Sequence, residues 1–133
     1  LFDYTQVLLK RVRNMTKVVL DQLMVKLNKA VKEQDVELYV SLFSPGSMDG
    51  CPDPFHVTTI EAGADDDIVV ILEKMKSKEI LVGESQIGDE ALSVTVPFTA
   101  GDASSGTIHV VLVMDGGKAF INAMPSCSET PAH

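Results

Sequence analysis

Asp53 and His56 stand three residues apart in Gly50-Cys51-Pro52-Asp53-Pro54-Phe55-His56. A loop carboxylate and imidazole at that spacing suit general acid-base work at a pocket mouth, because histidine exchanges its proton near neutral pH. The plain alternative is a turn aspartate beside a surface histidine. His109 shares strand parity with Thr107, Val111 and Val113. It reads either as a hydrogen-bonded sheet histidine or as a polar group in a cavity or dimer face. With His133 in a polar tail, three scattered histidines show no zinc spacing. Asp65-Asp66-Asp67 lacks the alternating ligands and closing Glu of a calcium loop, and reads as an acidic first helical turn. No phosphate-cradling glycine pattern or nucleophile elbow is present. Neither a metal nor a cofactor is expected.

Cys51 and Cys127 both fall in turn-rich, non-helical sequence. One disulfide between them is the expectation, and with it an oxidising, secreted setting; two reduced thiols in a cytoplasmic protein are the alternative. Asn14-Met15-Thr16 has the form of a glycosylation acceptor but lies in a helical pattern. The chain begins at Leu1, which reads as a processed product. Its first 15 residues carry charge throughout and lack the apolar stretch of a signal peptide.

The 133 residues, 45% apolar and 23% charged, suit one domain with its own core. No window approaches a membrane span. The net charge of −8, with no Trp and two Tyr, excludes a general nucleic-acid binder. The charge is uneven. Residues 1–32 hold seven bases and two acids, a net +5, while residues 33–133 hold four bases and seventeen acids, a net −13. A basic helix over an acidic body is either a solvated face or a docking face for an acidic partner.

The elements that must position these groups follow from periodicity. Val7, Leu8, Val12, Met15, Val19, Leu23, Leu27, Ala30 and Val31 form one helical stripe, uninterrupted by Pro or Gly over residues 3–34. Asp35 caps a short second helix that ends at Ser44-Pro45-Gly46. Phe55–Glu61 reads as a short strand, and residues 64–67 open a third helix over Ile68, Ile71, Leu72 and Met75. Ile80–Ile87 reads as one strand. Leu92, Val94, Val96 and Phe98 alternate with Ser93, Thr95 and Pro97 in the clearest half-buried strand. Thr107–Met114 and Lys118–Met124 flank Asp115-Gly116-Gly117, a tight-turn signal. The tail after Pro125 should fray.

The segment KLNKAVKEQDVELYVSLFSPGS resembles the start of a nuclear transport factor two-like domain, and GTIHVVLVMDGGKAFINAMPSC resembles that family's last hairpin. The likeness covers about residues 16–127, with residues 1–15 as a helical extension and 128–133 as a disordered tail of the same single domain. It implies an α+β fold, a cone-shaped curved antiparallel sheet wrapped around a long N-terminal helix and two shorter ones. Small secreted nematode antigens include domains of this kind, and the cysteines fit one.

The resemblance also implies a pocket between helices and sheet, with Met24, Phe43, Phe55, Met75, Phe98 and Met114 as lining candidates. It implies a homodimer through the outer sheet face, with His109, Val111, Val113 and Ile121 as candidates. Ketosteroid isomerase-like members pair a carboxylate base with a tyrosine and a protonated acid. Here the long helix offers Val, Leu and Met where that tyrosine belongs, Tyr39 sits on the second helix, and residues 92–98 and 108–114 contain no acid. Three functions therefore stand open. One is a non-catalytic, secreted, homodimeric domain or antigen holding a small apolar molecule. Another is an isomerase, dehydratase or cyclase using Asp53 or His56, and the last is a module docking an acidic partner through the basic helix.

Overall fold

A computed structural model of the protein describes residues 4–44, 46–47, 51–57, 68–87 and 94–128. The fold is α+β: a long N-terminal helix and short helices packed in a strongly curled antiparallel half-barrel. Helix α1 runs Tyr4–Glu33 without interruption, 30 residues, or about 45 Å at 1.5 Å per residue. Among the described side chains, those it sends into the core are Leu20, Leu23, Met24, Leu27, Ala30 and Val31, all in its second half. Gln34 (φ 57°) ends it in a left-handed turn. There the Asp35 N–H donates to Ala30 O at 2.9 Å and the Gln34 N–H to Val31 O at 3.3 Å, the pattern usually built on glycine. The Gln34 side chain supplies the compensation, donating to Val31 O (2.7 Å) and across to Leu72 O (3.0 Å).

Asp35 then caps helix α2 (Val36–Ser41) by accepting the Leu38 N–H. Helix α3 (Ile68–Ser77) buries Ile71, Leu72 and Met75. It ends like α1, on a left-handed non-glycine residue, Glu79 (φ 54°), with the Ile80 N–H donating to Met75 O. Residues 58–67, the expected helix opening at Asp65–Asp67 among them, lie outside the described residues.

The strands are β1 (Leu81–Val82), β2 (Gln86–Ile87), β3 (Val94–Thr99), β4 (Ser105–Asp115) and β5 (Lys118–Asn122). Their order is β1-β3-β4-β5, with β2 also on β3. Strand β4 changes partner midway: Ser105–Val110 pair with β3 and Val111–Asp115 with β5. Gly116 (φ 59°) and Gly117 (φ 81°) make the two-residue turn that sets the second register. Both central residues need positive φ there, which only glycine adopts without strain.

The expected strand 80–87 is two strands. At the break, Ser85, fully buried, gives its N–H (2.8 Å) and Oγ–H (2.9 Å) to Asp21 Oδ1 on α1. Nearby, Asn28 acts as a surrogate strand, donating to Val82 O and accepting the Val82 N–H, both at 2.9 Å. A short helix α4 (Met124–Ser128) follows β5. No helix among the described residues is long and apolar enough to cross a membrane.

Candidate functional site

The loop after α2 is pinned to the end of β5. The Ala123 N–H donates to Ser47 Oγ at 3.2 Å and the Cys51 N–H to Ser47 O at 2.7 Å. The expected disulfide joins Cys51 to Cys127, with Cα atoms 5.7 Å apart across 76 residues of sequence. Within the loop, Asp53 holds a turn: its Oδ1 accepts the Val57 N–H at 3.0 Å, and its carbonyl accepts the His56 N–H at 3.1 Å. That turn places His56 at φ 52°, so Phe55–Val57 are not the start of a strand. Phe55 and Val57 point inward, and His56 is exposed.

Phe55 meets Phe98 of β3 edge to face, with centroids 5.1 Å apart and rings at 87°. Opposite Phe98 on β4 is Gly106, where a Cβ would come within 2.7 Å of Phe98 Cζ. The two rings form the floor of a surface cleft of about 360 Å³, rimmed by His56, Lys78, Glu79, Asp102 and Ser104. The rim is where the end of α3 meets the β3–β4 turn. There the Gly101 N–H donates to Lys78 O at 2.9 Å, and the Glu79 carboxylate lies directly over Gly101. Hydrogen bonds from the Ser104 side chain and N–H hold the Asp102 carboxyl below the usual carboxylate range, and Lys78 adds to this. An aromatic floor under one ammonium, two carboxylates and an imidazole can seat a small amphipathic molecule, with its apolar face down and polar groups at the rim.

The structure gathers Phe55, His56 and Phe98 at the cleft and places the other expected pocket residues elsewhere. Met24, Phe43 and Met75 are packed in the core, and Met114 is 61% exposed near the β4–β5 hairpin. Phe43 rests against Tyr39, with centroids 5.0 Å apart. Tyr39 is fully buried, and its hydroxyl has no hydrogen-bond partner among the described residues. Burial, with the neighbouring Asp53 carboxylate, pushes its pKa far above the ordinary tyrosine value.

Ile121, expected on the outer sheet face, is a core residue at 1% exposure. Its register explains this. Ile121 pairs with Leu112, whereas Val111 and Val113 pair with Asn122 and Phe120, so Ile121 faces the other side. Val111 and Val113 are half-buried, as is His109, whose backbone N–H donates to Ser126 Oγ at 2.7 Å.

Sequence reasoning missed the rim residues Lys78, Glu79, Asp102 and Ser104. Their only signal was the Gly101–Gly106 turn, which does not say what it packs against. A larger groove of about 630 Å³ shares Glu79 and Ile80 with this cleft, is lined also by Val31, Leu81, Lys29, Lys32 and Lys76, and holds none of the candidates. No group of His, Cys, Asp or Glu among the described residues is placed to hold a metal. No protein family, curated protein or solved structure matches this chain.

Proposed function

We propose that this chain is a non-catalytic binding domain of nuclear transport factor two-like type, secreted into an oxidising setting. Its cleft over Phe55 and Phe98 takes a small amphipathic molecule. The observation that carries the reading is the edge-to-face ring pair lining a cleft of about 360 Å³ together with Lys78, Glu79 and Asp102. That volume falls within the range of small-molecule sites, roughly 300–1,000 Å³. The packing of Met24, Phe43 and Met75 moves the proposed ligand from the middle of the cone to its rim. The disulfide supports an extracellular location.

The test is titration with an environment-sensitive apolar dye, followed by competition with steroids and fatty acids. Saturable, displaceable binding near one site per chain that is lost in Phe98→Ala supports the reading. Absence of binding, or binding indifferent to Phe98, sinks it. A proton-transfer enzyme is the second reading, favoured by the place of His56 on the cleft rim. It predicts turnover that His56→Ala abolishes while ligand binding survives.

A further inference from the structure

Helix α1 carries a second apolar stripe, on the side away from the core. Leu8, Met15, Val18 and Val25 are 53%, 70%, 56% and 69% exposed. At 3.6 residues per turn they lie about half a turn from Leu20, Leu23 and Leu27, which are buried. Their spacing of seven, three and seven is that of the a and d positions of a heptad, the seam along which helices pair. A run of exposed large apolar residues about 25 Å long on one helix is an interface signature.

We infer that this stripe is the contact surface for a second copy of the chain, joined through an antiparallel pairing of the two α1 helices. The pattern is its own complement under a two-fold axis at the midpoint between residues 16 and 17. Leu8 then meets the partner's Val25, and Met15 meets the partner's Val18. The polar seam positions coincide as well: Arg11 faces the partner's Gln22, a cation against an amide, so no like charges oppose each other in the seam. A contact that uses the same patch on both copies closes on itself and stops at two. The described core residues lie on the far side of each helix from the seam. The pairing also gives the exposed Leu8 and Met15 of the first half of α1 an apolar surface to rest on. It is independent of the ligand cleft.

Sedimentation equilibrium on the intact protein should give twice the 14.4 kDa chain mass. Val18→Glu changes an exposed residue, so circular dichroism should be unaltered while the mass halves. The double variant Leu8→Cys/Val25→Cys should cross-link between chains on mild oxidation, and Leu8→Cys alone should not. Four results would overturn the inference: a monomer throughout, a dimer untouched by Val18→Glu, cross-linking through Leu8→Cys alone, or a dimer that added salt dissolves. The third means a parallel pair. The last means that the basic helix docks on acidic residues of the partner, since both chains carry net −8 and an apolar seam between them tightens as salt screens their repulsion.

Discussion

The ring of Phe98 lies across the α-carbon of Gly106, its cross-strand neighbour, with no room for a side chain between them. Gly106→Ala therefore has to displace the ring from the cleft floor. The expected loss of stability is about 1–3 kcal/mol, the usual range for overpacking, read as a lower urea midpoint. Dye binding to the cleft should weaken in the same variant. An alanine variant with wild-type midpoint and affinity would mean the ring does not rest there.

Tyr39 hides a hydroxyl that finds no partner among the described residues. Tyr39→Phe keeps the ring contact with Phe43 and removes the polar atom. Relieving an unsatisfied buried group should raise stability by on the order of 1 kcal/mol. A clear drop in melting temperature would show that the hydroxyl is bonded in solution.

The Cys51–Cys127 bridge spans 76 residues. In the chain-entropy account, losing it should cost about 4 kcal/mol. Dithiothreitol, or a Cys51→Ser/Cys127→Ser variant, should shift the denaturation midpoint by a corresponding amount. Equal stability with and without reductant would contradict the prediction.

Burial pulls the Asp21 carboxyl upward, but hydrogen bonds from Lys17 and from the Ser85 N–H and Oγ–H outweigh it, so its pKa lies below 3.8. The folded state thus binds its proton less readily than the unfolded chain does. The stabilisation from this group is complete above 3.8 and is lost as pH falls through that value and the lower folded one. Acid titration of stability should show this loss in the wild type and a reduced loss in Asp21→Asn, whose amide oxygen can still accept from Ser85. Parallel curves for the two proteins would remove Asp21 from the account.

The parts of the fold legible in the sequence are those set by near neighbours. The Leu23, Leu27, Ala30 and Val31 part of the α1 stripe, the Asp35 cap, the alternation of Val94, Val96 and Phe98, and the Asp115-Gly116-Gly117 turn each depend on a few consecutive residues, whereas Leu8 and Met15, expected in the same stripe, face away from the core. The illegible parts depend on distant competitors. Strand 80–87 breaks because a carboxylate 64 residues earlier takes the hydrogen bonds of Ser85. The face of Ile121 was ambiguous because Ala119, Phe120 and Ile121 are all apolar, and only the hairpin register separates them. The apolar pattern marks Phe55 and Phe98, but the charged rim beside them arises where the end of α3 meets the turn after β3, a contact no local pattern encodes.

The disulfide also divides the chain topologically. Residues 51–127 form a covalent ring that contains α3 and the five described strands, while α1 and α2 belong to an open arm leading into it. Without reductant, a single peptide cut anywhere inside the ring leaves one connected molecule. A cut just before Cys51 leaves the two helices held by contacts alone, such as Asn28 on Val82, Asp21 on Ser85 and the apolar face of α1. The protein is in that sense a closed sheet unit with a detachable helical half, and the half that detaches carries the exposed seam.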